Sequence, residues 1–304
     1  MDYTEIAVWV PPLYAESVAW HLQELGVEQL VVSEIPAKGP TPTEVAVKVY
    51  RPGATEDHAA WVAELRGLMD RLKEHFPDWT PRVETRLVPE EDWAHSWKQY
   101  WHAQEIGERL VVKPSWEAYE GPADKILIEL DPKQAFGTGT HPTTQLCLRS
   151  LETHVPAHDA PLVFDVGTGS GILAVAAIKL GARHVEACDT DPVAVAATIE
   201  NIELNGVADV VKCYVGGIET ISGTADVLVV NILAEVVAEL AQEIADRVRP
   251  GGDVIASGII RERQTLVEEA FEAVGLSVLR VEYQGEWVVI EARKPESFVI
   301  ERKG

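Results

Sequence analysis

The chain has 304 residues, of which 46% are hydrophobic and 25% charged, and 49 acidic against 26 basic side chains leave a net charge of −23. That length holds two ordinary domains, and that composition is the composition of a globular protein. No run approaches the roughly 18 apolar residues of a membrane span, and the acidity disfavours a nucleic-acid partner while favouring a basic protein.

The opening MDYTEIAVWVPP has no basic start and no long apolar segment, so it does not read as a signal peptide. Residues 5–10 read as a strand and 13–25 as an amphipathic helix stopped by Gly26. Strands are expected at 28–34 and 44–50, a helix at about 57–75 and a further strand at 82–88. The order βαββαβ predicts a split-βαβ, ferredoxin-like α+β domain over residues 1–88. It carries no phosphate loop and no catalytic cluster, which leaves substrate recognition or a structural role. Over residues 89–104, Trp93, Trp97 and Trp101 recur every four positions as a stripe along a linker helix, a packing pattern.

The remaining residues, 105–304, form the second predicted domain. A strand at Ile126–Leu130 runs into DPKQAFGTGTHPTT, residues 131–144. Gly137 and Gly139 flank Thr138, and Pro142 stands where proline prefers to begin a helix. Thr143 and Thr144 then occupy the first turn, where hydroxyls and free amides can face a ligand. Phe136, Thr138 and His141 are the candidates for a lid over that pocket.

The organising stretch is LVFDVGTGSGILAVAAIKLGARHVEACDTD, residues 162–191. A strand ends at Asp165 and Val166. Gly167, Gly169 and Gly171 follow at alternate positions, and the alanine-rich segment to Leu180 reads as a buried helix. A second strand, His184 to Cys188, ends on Asp189, 22 residues after Gly167. Dinucleotide sites use G-x-G-x-x-G to hold a pyrophosphate. The G-x-G-x-G spacing behind an acidic residue instead suits an adenosine with an amino-acid tail, and Asp189 suits its ribose hydroxyls. S-adenosyl-L-methionine is therefore favoured over NAD.

A helix from Asp191-Pro192 to about Asn205 follows, then strands near 209–215 and 225–230. Asn231 stands at the end of the latter, placed either to orient an amine or to cap a helix over 233–247. Pro250-Gly251-Gly252, a strand to Ser257, a helix over 261–273 and strands at 277–283 and 286–292 complete the domain. Cys147, Cys188 and Cys213 lack C-x-x-C spacing and read as small buried residues of a reduced, cytoplasmic protein, with no metal site.

Through DPKQAFGTGTHPTT (131–144), DVGTGSGILAVAA (165–177), NILAE (231–235) and GEWVVIEARK (285–294), the chain resembles the ribosomal protein L11 methyltransferase (PrmA) family. WAHSWKQYWHAQEIGERLVVKPSW (93–116) fits that family's junction between domains. The resemblance implies a Rossmann-like, seven-stranded class I methyltransferase domain behind a substrate-gripping N-terminal domain. It implies methylation of lysine ε-amines and of the α-amine of ribosomal protein L11, by a monomer using S-adenosyl-L-methionine. By motif position, the cofactor contacts it implies fall on Thr144, Gly167, Asp189 and Asn231, with Gly169 in the same loop. Lys133-Gln134 departs from the family's usual glycine-containing pair.

The chemistry expected is direct in-line transfer of a methyl group to a neutral amine, with orientation and exclusion of water as the protein's main contribution. The residues identify no general base, and His141 beside a helix start suits a structural role. Rival readings are an N-methyltransferase for a nucleobase or small-molecule amine, and a module that binds the cofactor without transferring its methyl group.

Overall fold

The computed structural model describes residues 3–11, 30–32, 44–52, 82–88, 102–130, 139 and 141–296, with single helical positions between 15 and 22 and between 61 and 69. The chain divides into two compact units, Met1–His102 and Ala103–Gly304.

In the first unit, strands β1 (Tyr3–Val10), β2 (Leu30–Val32), β3 (Val45–Pro52) and β4 (Arg82–Val88) form one antiparallel sheet in the order β2-β3-β1-β4. Alternate residues of the two inner strands, Ile6, Val8 and Val10 with Val45, Val47 and Val49, supply one apolar face. Ala15, Val18 and Leu22 are helical and buried against it, as are Trp61, Leu65, Leu68 and Met69. Their spacings of three and four mark one face of each helix. Two helices on one face of this sheet order make the ferredoxin-like fold that the βαββαβ pattern predicts.

The second unit opens on a small sheet of β5 (Gln104–Ile106), β6 (Leu110–Lys113) and β7 (Ile126–Glu129) in chain order, with β6 buried along its whole length. β7 is the strand expected at Ile126–Leu130, whereas nothing in the sequence pattern marks β5 and β6. Strands of three and four residues show no usable alternation, and a fully buried one shows none by nature. Gln104 belongs to β5, so the predicted linker helix does not reach it; Trp93, Trp97 and Trp101 lie outside the described residues.

The main sheet contains β8 (Leu162–Val166), β9 (His184–Asp189), β10 (Val211–Val215), β11 (Ala225–Asn231), β12 (Val248–Ile260), β13 (Ser277–Gln284) and β14 (Trp287–Arg293). Their order is β10-β9-β8-β11-β12-β14-β13. The first five run parallel, and β14 runs antiparallel to both of its neighbours. The helices are α1 (Pro142–His154), α2 (Ile172–Lys179), α3 (Pro192–Leu204), α4 (Ala234–Glu239), α5 (Ala241–Arg247) and α6 (Gln264–Ala273). Alternation splits the strands between two cores. Val163, Val227 and Val229 pack with residues of α1 and α2, whereas Phe164, Leu228 and Val230 pack with residues of α4, α5 and α6. Helices on both faces of a mostly parallel sheet make this the Rossmann-like, doubly wound arrangement.

Three local expectations are corrected. Pro250-Gly251-Gly252 lies inside β12 rather than ahead of it, accommodated by an irregular register against β11 between Ala225 and Val227. The helix expected over 233–247 breaks at Leu240 into α4 and α5. Asn231 does not cap it: the residue ends β11, and the cap position is Leu233, which has no side-chain bond to give.

Candidate functional site

The strand order reverses at β8, whose neighbours are β9 and β11. In open α/β sheets, the crevice beyond the strands' carboxyl ends at such a point is where ligands bind. Here it receives the glycine turn from β8, Asp189 from β9 and Asn231 from β11.

The turn is built by main chain in the left-handed region: φ is +74° at Gly167, +58° at Gly169 and +79° at Gly171. The amides of Gly167 and Thr168 both donate to Cys188 O, at 2.9 and 3.0 Å, which straps the turn to β9. Asp189 braces it further. Its Oδ2 accepts from the Gly169 amide at 2.9 Å and its Oδ1 from the Asp191 amide at 3.0 Å. Each carboxylate oxygen retains a lone pair for a hydroxyl, and these bonds fix the group's orientation.

Two further side chains, which no sequence pattern marks, hold the turn. Thr198 Oγ1 donates to Gly169 O at 3.0 Å, and Asn201 Nδ2 donates to Ser170 O at 2.8 Å. They stand three residues apart on one face of α3, which Asp191 caps through its bond from the Val193 amide. A Cβ on Gly171 would sit 2.8 Å from Thr198 Cγ2, so the third glycine is what lets α3 approach.

Thr143 and Thr144 begin α1, as expected, and both are buried. His141 is the cap. Its Nδ1 accepts from the Thr143 amide at 3.3 Å and lies 2.7 Å from Thr143 Oγ1, and its ring meets Trp287 edge-on at 4.7 Å between centroids. Burial pushes its pKa down to about 4. Phe136 and Thr138 lie outside the described residues. Gly139, at φ +88°, is wedged so tightly that a Cβ there would stand 3.1 Å from Val112 Cγ1 and 3.2 Å from Ile172 Cδ1. Because Ile172 opens α2 directly behind the glycine turn, the two motifs that lie apart in sequence meet here.

Among the described residues, the buried side-chain oxygens that lack a well-formed hydrogen bond are Thr144 Oγ1, Asp165 Oδ1 and Asn231 Oδ1. Asp165 and Asn231 lie in the last two positions of neighbouring strands, where Val229 pairs with Asp165 and Val230 with Val166. Cys147, one turn along α1 from Thr144, feels the charge of Asp165 and contacts Ser257. Burial and the nearby Asp189 carboxylate push Asp165 up to about 7, against the bond from Thr168 Oγ1 at 2.7 Å and the Ala174 amide. An unpaired buried polar atom costs roughly 1–3 kcal/mol. Three such oxygens around one crevice indicate a site shaped for a ligand that completes them. An adenosine with an amino-acid tail, bearing hydroxyl and ammonium donors, fits that set of acceptors.

The family model for "Ribosomal protein L11 methyltransferase (PrmA)" matches residues 2–295. This chain belongs to that family. The family's curated relatives include a ribosomal protein L11 methyltransferase of Pelotomaculum thermopropionicum, 42% identical over 96% of this chain and 99% of its own length. Another, from Exiguobacterium, is 36% identical over 97% of this chain and 100% of its own. A crystal structure described as a ribosomal protein L11 methylase from Lactobacillus delbrueckii superimposes with a TM-score of 0.58 at 34% identity, covering 64% of this chain and 99% of that one. The sequence resemblance and the class I methyltransferase architecture are thus both shown. The cysteines of this family member are free, with Cys147 and Cys188 buried. No group of three or more potential metal ligands occurs among the described residues, and none of their helices is long and apolar enough to cross a membrane.

Proposed function

We propose that this chain transfers methyl groups from S-adenosyl-L-methionine to lysine ε-amines and the N-terminal α-amine of ribosomal protein L11. The observation that carries the reading is the set of three unsatisfied oxygens around a glycine turn in a chain of this family. Asp189, held by the Gly169 and Asp191 amides, receives the ribose hydroxyls. Gly167 and Gly169 give the cofactor close access to main chain, and Thr144 contacts its amino-acid end. Asn231 Oδ1 accepts an N–H of the incoming amine and so points the nitrogen lone pair at the methyl group.

The cofactor, when bound, supplies an electrophilic methyl on a sulfonium, taken directly by a neutral amine. A free lysine has a pKa near 10.4, so its neutral form costs about 4 kcal/mol at pH 7.4, a cost that desolvation at the crevice lowers. His141 is a poor base for the released proton: it is held near pKa 4, and its Nδ1 already accepts from Thr143. Bulk water takes the proton. The protein's contribution is orientation and exclusion of water.

The net charge of −23 suits a basic protein substrate and disfavours direct contact with nucleic acid. Residues 1–88 grip that substrate and the second unit, Ala103–Gly304, catalyses, within a monomer of the cytoplasm. Phe136 and Thr138, with His141, cover the pocket. Calorimetric titration with S-adenosylhomocysteine tests the cofactor half of the reading. One-to-one binding is expected for the native chain and none for a folded Asp189→Ala variant, whereas full affinity in that variant would refute the ribose role.

A further inference from the structure

Ile232 directly follows Asn231, and it is caught between two glycines. A Cβ on Gly167 would lie 2.4 Å from Ile232 Cγ2. A Cβ on Gly258 would lie 2.1 Å from Ile232 O, 2.7 Å from its C and 2.9 Å from its N. These encounters differ in kind. The first is with a side-chain methyl that another rotamer or a smaller residue removes; the second is with main chain, which can only move bodily.

Gly258 occupies a built feature of β12. Ser257 pairs with Asn231 in the parallel ladder to β11. On the other side, the ladder to β14 slips between Ala256 and Ile259: Ala256 faces Ile290 and Ile259 faces Val288, so two residues of β12 oppose one of β14. This is a β-bulge, with Gly258 at φ +83°. Ser257, fully buried, pins it by donating from Oγ to Val288 O at 2.8 Å. A bulge costs a ladder pairing and re-aims the chain, which is why bulges cluster beside active sites. The contacts run without a gap from β14 through the bulge to the Ile232 main chain, and from the Ile232 side chain to the glycine turn.

We propose that Gly258 is a positioning residue for methyl transfer: the bare main chain of the bulge sets how deeply Asn231-Ile232 seats against Gly167, and thereby where Asn231 Oδ1 stands. The inference rests on the reading of Asn231 given above. Gly258→Ala forces the Ile232 main chain outward and draws Asn231 away from the turn. Displacing a positioning group by about 1 Å can cost a hundredfold in rate.

The test is a double-mutant cycle on the full chain, reading kcat and KM for methylation of ribosomal protein L11 together with calorimetric affinity for S-adenosylhomocysteine. Gly258→Ala is expected to lower kcat by roughly tenfold to a hundredfold with the smaller effect on KM. In an Asn231→Ala background it is expected to add less than about twofold, because the group it positions is already gone. Gly251→Ala is the control for backbone strain: it also sits in β12 at positive φ (+79°), but its Cβ would meet nothing nearer than Glu296 Cγ at 3.4 Å. It should lower the melting temperature and leave kcat alone. If Gly258→Ala does not fold, Gly167→Ala carries the test, since adding Ile232→Ala should then restore part of its lost affinity by removing the blocking methyl. Full effects of Gly258→Ala and Asn231→Ala that simply multiply, or no rescue at Gly167, would overturn the proposal. A harmless Asn231→Ala would overturn the reading of the site itself, whereas a damaging Asn231→Ala beside a harmless Gly258→Ala would overturn the positioning role alone.

Discussion

Thr144 tests the proposed cofactor contact at a single residue. Its hydroxyl is fully buried in the first turn of α1 and has no partner. Valine has nearly the same shape and no hydroxyl to leave unsatisfied. Thr144→Val should therefore raise the melting temperature of the ligand-free protein by a few degrees while weakening S-adenosylhomocysteine binding about tenfold. Calorimetry and a thermal melt on the same sample check both. Unchanged affinity together with unchanged stability would show that the hydroxyl is not held in reserve. At this scale the sequence was most legible where chemistry is local. Gly167, Gly169 and Asp189 announce themselves within 30 residues because a turn and the strand beside it are encoded contiguously. Thr198 and Asn201 were not legible: a helix reads in sequence only as a pattern of apolar positions, and nothing in that pattern says which polar side chain meets a loop carbonyl.

Among the elements, α1 is tied to the sheet at the end away from the crevice. His154, in its last turn, places Nδ1 3.0 Å from Asp253 Oδ2 on β12. Its Nε2 lies 3.2 Å from Glu291 Oε2 on β14, an ion-pair contact with poor hydrogen-bond geometry. His158 and Arg293 also bind Asp253, at 3.0 and 2.7 Å, and Ser150 binds Glu291 at 2.6 Å. Burial works against charge on His154, but the two carboxylates outweigh it and lift the imidazole to about 9. Burial likewise disfavours the charged carboxyls, yet their bonds, to His154 first, hold Asp253 and Glu291 below the usual range. The signs follow from linkage. The raised histidine stabilises fully below its unfolded pKa near 6.5 and ceases to do so as pH rises through about 9. The lowered carboxyls stabilise above about pH 4 and lose that contribution on acidification. The melting temperature should thus fall between about pH 7 and 10, and His154→Gln should be less stable at pH 7 but flatter over that range. Equal slopes in the two proteins would contradict this assignment. No sequence pattern reveals the cluster, since its members come from three elements far apart in the chain, α1, β12 and β14, and only packing brings them together. The same holds for β5 and β6, whose shortness and burial erase any period.

For the whole molecule, two units follow one another: a ferredoxin-like sheet with its own apolar core, and a doubly wound sheet with one core on each face. Both were legible because long elements with clear alternation or helical spacing dominate them, and because the order of elements constrains topology. Separate cores also permit separate tasks. On the function proposed, removing residues 1–88 should spare cofactor binding and abolish transfer to ribosomal protein L11. A truncated chain that methylates the protein at the native rate would end the recognition role.

The most direct measurement of the central claim is the intact mass of purified ribosomal protein L11 after incubation with this chain and S-adenosyl-L-methionine. Increments of about 14 Da per methyl group, confined by fragmentation to lysines and the N-terminus and accumulating far more slowly with Asn231→Ala, are the result predicted. An unchanged mass, with the cofactor demonstrably bound by calorimetry, would contradict it.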